Sequence, residues 1–354
     1  MHIPVAQAGA TAVVLARLAR GRRRRPSLVA RRTDRRVSVV IPARDEEARL
    51  PACLAGLAGD PDVHEVIVVD DRSTDATARV ARAHGARVVA GRELPAGWVG
   101  KPWALQQGLE SASGEVVVSL DADTRPRPGL VGALAGALRD GADFVTAGAR
   151  FRCDGPGERL LHPSMLASLV YRYGPADAEA PVPPARRLAN GQVTAVERER
   201  LLEAGGYAAA AHHMTDDAAL VRALARAGWA VAFVPAPDLV EVRMYESAAE
   251  TWREWGRSLA LPDVTPPAWQ AADLAVVWLT MAMPVLRLAT GRPTPLDLAL
   301  LAVRAALLGG LAGSYARRGP WFWLSPLADP ATAVRLTLSA LRPARTWRGR
   351  SYPA

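Results

Sequence analysis

Between residues 37 and 147, short valine-rich runs alternate with longer helical stretches, and this alternation constrains the fold more than any other feature of the chain. It predicts strands over 37–41, 65–69, 86–90, 115–120 and 143–147, and helices over 46–58, 74–84, 102–111 and 128–138. Buried strands separated by helices imply a mostly parallel α/β sheet. In such sheets ligands bind beyond the carboxyl ends of the strands. The residues that follow each strand therefore bear most on function.

Those residues are acidic. The first strand runs into Pro42-Ala-Arg-Asp45-Glu46-Glu47, the second into Asp70-Asp71-Arg72-Ser73-Thr74-Asp75, and the fourth into Asp121-Ala-Asp123. There is no G-x-G-x-x-G after the first strand and no Gly-Lys-Ser/Thr loop, which argues against a dehydrogenase and a P-loop ATPase. Asp121 and Asp123 fall on one side of an extended segment, because side chains alternate there. Two such carboxylates suit a hard divalent cation that also binds a diphosphate, although a solvated turn uses the same residues. Asp70-Asp71 can bind a base or ribose or cap the next helix; Ser73, Thr74 or Asp75 could supply that cap instead. Asp216-Asp217 precedes a helical pattern over 218–227. Acids favour helix N-termini, and a carboxylate there can also serve as general base toward a hydroxyl.

Charge separates the chain into three parts. Forty-four basic and 35 acidic residues give a net charge of +9. Segment 1–36 carries +9, segment 269–354 carries +7, and segment 37–268 carries −7. A basic chain suggests nucleic acid or an anionic membrane as partner. The acidic centre, without a basic stripe interleaved with aromatics, disfavours nucleic acid. The basic flanks adjoin apolar runs at 3–16, 274–288, 296–315 and 321–341, which points to the membrane. Run 3–16 is short for a span and lacks a cleavage site, so an anchor with its arginines in the cytoplasm is expected. Arg287 and Arg304 interrupt the later runs, as a soluble helical domain would allow. Cys53 and Cys153 are the only cysteines, which excludes a disulfide framework and a cysteine zinc site. Lys101 is the only lysine.

Taken together, these motifs resemble the family 2 glycosyltransferases over about residues 37–260. The markers are Val37-Ser-Val-Val-Ile-Pro-Ala-Arg-Asp-Glu-Glu47, Val68-Val-Asp-Asp-Arg-Ser-Thr-Asp75, Asp121-Ala-Asp123 and Thr215-Asp-Asp217. More narrowly the chain is similar to the membrane-bound carotenoid-type and hopanoid-associated branch. That likeness rests on Gly97-Trp-Val-Gly-Lys-Pro-Trp-Ala104, Asn190-Gly-Gln192, Gly205-Gly-Tyr207, Arg243-Met-Tyr245 and Thr346-Trp-Arg-Gly-Arg-Ser-Tyr352. The resemblance implies a Rossmann-like GT-A domain that binds a nucleotide sugar, flanked by transmembrane or membrane-associated helices. It implies that Asp45, Glu47, Asp70 and Asp71 border the nucleotide, with Asp71 at the base, and that Lys101 contacts the donor. Asp121 then meets the ribose and, with Asp123, a Mg²⁺ or Mn²⁺ on the diphosphate. Asp217 becomes the catalytic base and Asp216 its neighbour.

Gln106 and Tyr207 depart from common family residues, asparagine and histidine respectively. Trp252-Arg-Glu-Trp255 replaces the Gln-x-x-Arg-Trp motif of polysaccharide synthases, which argues against a processive polymer synthase. His212 and His213 read as loop groups rather than metal ligands. The expected organisation is a membrane anchor with an arginine-rich segment (1–36), a catalytic domain (37–268), and membrane helices with a basic tail (269–354). The expected activity is inverting transfer from a UDP-sugar to a hydroxyl or carboxyl of a lipid-like acceptor at the cell membrane, with the catalytic domain facing the cytoplasm. A polyprenyl-phosphate sugar transferase and a silent sugar-nucleotide-binding membrane protein are the alternatives.

Overall fold

The computed structural model describes residues 2–342, 346–347 and 350–352. Arg348 and Gly349 of the closing motif lie outside the described residues. Packing divides the chain into two compact units, each discontinuous in sequence. A sheet unit comprises Arg25–Arg150, Pro183–Val242 and Arg345–Ala354, and a helical unit comprises Met1–Arg24, Phe151–Val182 and Arg243–Ala344. These differ from the contiguous segments 1–36, 37–268 and 269–354. Residues 151–182 and 243–268 pack with the helices, and 25–36 pack with the sheet.

Seven strands form the main sheet: β1 (Val37–Ala43), β2 (Val63–Asp70), β3 (Arg87–Ala90), β4 (Val116–Leu120), β5 (Phe144–Gly148), β6 (Val193–Glu197) and β7 (Val231–Pro235). Their order is β3-β2-β1-β4-β6-β5-β7. Neighbours run parallel except around β6, which is antiparallel to both β4 and β5. Every residue of β4 is buried, as expected of a strand covered on both faces. All five predicted strands and all four predicted helices are present, with end shifts of a few residues.

The helix Gly100–Ser111 lies close on β1 and β2 because Gly108 has no side chain. A Cβ at position 108 would stand 2.2 Å from Val40 Cγ1. This close approach sets the position of Lys101 at the other end of the helix.

The arginines of 31–36 were expected beside the membrane, yet they serve the sheet unit. Arg32 meets the buried Asp62 at 2.9 Å, Arg31 meets Asp140 at 3.0 Å, and Arg35 meets Glu197 at 2.9 Å. The Thr33 amide also donates to Asp62 at 3.1 Å.

The helical unit packs His2–Ala19, Pro156–Tyr173 and the later helices around Val14, Met165, Val277, Leu308 and Phe322. Among the described residues two helices are long and apolar enough to cross a membrane, Pro267–Ala289 and Pro295–Ser314. The second starts at a reciprocal cap, in which Thr294 Oγ1 accepts the Asp297 amide and Asp297 accepts the Thr294 amide. The run 321–341 does not form one helix. It breaks into Gly319–Trp323, Ser325–Ala328 and Asp329–Leu341.

The two arginines within the apolar runs are paired. Arg304 binds Asp329 at 2.9 and 3.1 Å, both fully buried, and Ser164 donates to the same carboxylate. Arg287 meets Asp297, which also accepts from Gln7 of the first helix. Leu286, Leu288, Leu298, Trp323 and Leu327 stay exposed. Trp252 and Trp255 pack against this core, with the Trp255 ring 4.5 Å from that of His162.

Candidate active site

The predicted acids lie in the sheet unit, those after β1, β2 and β4 where parallel strands end and Asp216-Asp217 at the start of a helix. Those after β1 and the first acid after β2 hold the loops together. Asp45, at a left-handed φ of 54°, accepts the Thr74 amide at 2.7 Å and its hydroxyl at 3.1 Å. Glu47 accepts the Ala76 amide at 2.9 Å. Asp70 turns back to accept the Ser73 amide at 3.1 Å, while Asp75 receives Thr77 at the start of its helix. The Asp70-Asp71 pair is therefore divided: Asp70 closes the turn, and Asp71 points elsewhere.

Asp71 is 3% exposed. Its Oδ2 lies 2.5 Å from Arg350 Nη1, and its Oδ1 has no partner among the described residues. Burial raises its pKa above the usual carboxylate range, against the pull of Arg350.

Asp121 follows β4 and ties back to the β6 side through its amide, which donates to the Gln192 carbonyl at 2.9 Å. Both carboxylate oxygens face Lys101 Nζ, at 2.7 and 2.8 Å. Lys101 also donates to the Gly191 carbonyl at 3.3 Å. Burial works against the charge on Lys101, but Asp121, Asp216 and Asp217 outweigh it and hold the pKa above that of an ordinary lysine. Asp123 is pushed up to about 7 by burial and then by the charges of Asp121 and Glu46, and its buried Oδ1 has no partner among the described residues. Among the described residues no three His, Cys, Asp or Glu side chains gather into a metal cluster. Asp121, with the open oxygen of Asp123, fits a cation that takes few protein ligands and completes its shell with phosphate and water.

Asp216 and Asp217 occupy the first turn of the helix Asp216–Arg226. They hold the helix N-terminus and face Lys101. Asp217 Oδ2 accepts the Gly191 amide at 3.0 Å and Oδ1 accepts the Ala218 amide at 2.7 Å. Burial raises the pKa of Asp217, opposed by Lys101. Burial also lifts Asp216 to about 7, with Lys101 pulling down and Asp217 pushing up. A side chain at Gly191 is excluded, since its Cβ would stand 2.8 Å from Asp217 Cβ. Gln106 accepts the Tyr207 amide at 2.8 Å, which links the two positions that depart from the common family pattern. His212 and His213 stack on each other with ring centroids 4.2 Å apart.

Residues 38–188 match the model of the glycosyl transferase family 2. The chain carries a family 2 glycosyltransferase domain. Its sheet unit has the Rossmann-like α/β architecture of the GT-A type. Over 235 residues it is 29% identical to a 4,4'-diaponeurosporenoate glycosyltransferase of Staphylococcus haemolyticus, covering 65% of this chain and 62% of that one. It is 36% identical over 126 residues to an undecaprenyl-phosphate 4-deoxy-4-formamido-L-arabinose transferase of Aeromonas hydrophila, covering 33% and 38%. The chain thus spans less than two thirds of either relative. A mannosyltransferase of Pyrobaculum calidifontis, solved with GDP-Man and Mn²⁺, shares the fold over 96% of this chain and 97% of its own, with a TM-score of 0.53 and 20% identity.

Two site residues carry more than their motifs indicate. Gly191, within Asn190-Gly-Gln192, joins Lys101 to Asp217 through its backbone. Arg350, within the closing motif, reaches Asp71.

Proposed function

We propose that this protein is an inverting glycosyltransferase that moves a sugar from a nucleoside-diphosphate sugar, a UDP-sugar first, to a hydroxyl or carboxyl of a lipid-like acceptor at the cytoplasmic face of the cell membrane. One observation carries the reading. Gly191 accepts from Lys101 through its carbonyl and donates to Asp217 through its amide, at 3.3 and 3.0 Å, so the donor-side cation and the base share one residue.

In this reading Asp71 receives the nucleoside, Asp45, Glu47 and Asp70 hold the loops that wall it, and Lys101 faces the diphosphate. Asp121 and Asp123 would hold a Mg²⁺ or Mn²⁺, which supplies a positive charge beside the leaving group. Lys101 adds a fixed cation where negative charge develops. Asp217 is anchored by two amides and made more basic by burial. It takes the proton of the acceptor, whose oxygen attacks the anomeric carbon from the face opposite the leaving group. Asp216, pushed up to about 7, shares the field of Lys101 and tunes its neighbour.

The membrane assignment rests on Pro267–Ala289 and Pro295–Ser314. The lipid-like acceptor follows from it and from the diaponeurosporenoate relative. Sugar transfer from a nucleotide sugar in membranes should be lost in Asp217→Asn and Asp123→Ala; near wild-type turnover in both variants would overturn the assignment. The Aeromonas relative favours a second reading, transfer to a polyprenyl phosphate. Mild acid treatment of the labelled lipid separates the two, because it cleaves a sugar phosphodiester much faster than a glycoside.

A further inference from the structure

Thr346–Trp347 and Arg350–Ser351 form a two-stranded antiparallel ladder in the sheet unit, 279 residues along the chain from the loop that Arg350 meets. Besides the Arg350–Asp71 contact, the Tyr352 hydroxyl accepts the Gly100 amide at 3.3 Å. Gly100 opens the helix whose second residue is Lys101. The three groups converge so closely that a Cβ at Gly100 would stand 2.8 Å from Asp71 Oδ2, 3.0 Å from Arg350 Nη1 and 3.3 Å from the Tyr352 hydroxyl.

Asp71 is buried and half satisfied. One carboxylate oxygen is held by a guanidinium, while the other has no partner among the described residues. A purely structural ion pair away from water would be expected to satisfy both oxygens, since an open buried acceptor carries an uncompensated desolvation cost. An open oxygen on a fixed carboxylate is a ready acceptor for an N–H or O–H from outside the protein.

We propose that the C-terminal segment is a working part of the donor site: Arg350 fixes the Asp71 carboxylate so that its second oxygen receives a base N–H or ribose hydroxyl of a nucleoside diphosphate, while Tyr352 docks the segment on the start of the Lys101 helix. This presupposes the donor site proposed above. Arg350 is a positioning residue, acting through Asp71, and it adds nucleoside recognition to a site whose phosphate end is served by Lys101.

The test is calorimetric titration of the full-length protein in detergent with UDP, GDP and pyrophosphate, each with Mn²⁺, together with donor kinetics. Arg350→Ala should weaken the better-bound nucleoside diphosphate about tenfold or more. It should leave pyrophosphate within about twofold, raise the donor KM and spare kcat. Arg350→Lys should recover part of the loss. In an Asp71→Asn background Arg350→Ala should add no further loss, because the two act as one unit.

If Arg350→Ala binds the nucleoside diphosphate as tightly as wild type, or more tightly, while Lys101→Ala loses it, the donor site stands and the role of the segment is refuted. Equal losses for nucleoside diphosphate and pyrophosphate would mark a general structural contact and also refute it. If the wild type binds none of the three probes, the donor-site reading itself fails.

Discussion

Replacing Lys101 with methionine removes the cation that faces Asp121, Asp216 and Asp217. Removing one partner of a buried ion pair costs about 3–5 kcal/mol. Two features reduce that figure here. The side chains of Lys101 and Asp121 are 16% and 24% exposed, so water screens part of the loss. Asp123 and Asp216, both pushed up to about 7, can take up protons instead of remaining charged. The expected destabilisation is therefore about 2–3 kcal/mol in alkaline solution, and less in acid. At roughly 2–4 °C per kcal/mol for a unit of this size, the melting temperature should fall by roughly 4–12 °C.

The pH dependence follows from the raised pKa of Asp216. Its folded value of about 7 lies above the ordinary aspartate value of about 3.9, so the folded state keeps a proton that the unfolded state has released. Stability then falls as pH rises from about 4 to about 7 and levels off above that. Without Lys101 the folded values rise further, and the decline continues to higher pH. Lys101 stays protonated below about pH 10 in both states and adds no slope of its own in this range. The gap between wild type and variant should be smallest near about pH 5 and largest above about pH 8. Melting curves of both proteins in detergent across this range measure it. A gap below about 1 °C at the alkaline end, or one that narrows as pH rises, would refute the electrostatic account of the site.

Asp217→Asn should lower kcat by about 10²–10⁴ with little change in donor KM, measured by sugar transfer. In the wild type, kcat/KM should rise with pH through an apparent pKa above the usual carboxylate range, because Asp217 must be deprotonated and burial raises its pKa. Gly191→Ala should cost about 10–100-fold in turnover, since a Cβ 2.8 Å from that of Asp217 must displace the base; donor binding by calorimetry should change less. In the helical unit, Asp329→Ala leaves Arg304 buried without its carboxylate and should cost about 3–5 kcal/mol. The double change Arg304→Met with Asp329→Leu should recover most of that loss in thermal unfolding.

The α/β core was legible because β1 to β5 and the intervening helices repeat a pattern that burial on two faces imposes. β6 and β7 carried no such signal. β6, Val193-Thr-Ala-Val-Glu197, is fixed by antiparallel pairing between β4 and β5, a tertiary choice that a five-residue run does not announce. Most of the candidate acids stand out because they follow strands, but the type of residue does not say which amide a carboxylate will meet. Asp45 and Glu47, expected at the nucleotide, are engaged with Thr74 and Ala76. Arg350 was hidden for a simpler reason: its partner lies 279 residues away, and only the folded chain joins them.

The charge distribution needs the same correction. The basic start of the chain reads as a match for anionic headgroups, yet Arg31, Arg32 and Arg35 neutralise Asp140, Asp62 and Glu197 in the sheet unit, and Arg24 binds Asp177 in the helical unit. Part of the excess on one segment is therefore the complement of the deficit on another. Net charge per segment overstates what is left to attract a membrane, because pairing consumes it within each unit. The stronger physical ground for a membrane is apolar. Two long helices leave leucines at positions 286, 288 and 298 exposed, while the arginines along the same helices turn inward onto Asp297 and Asp329. A soluble helical domain would favour the opposite arrangement, with charge outward and leucine inward. Charge buried by pairing and exposed leucines support the proposed membrane association.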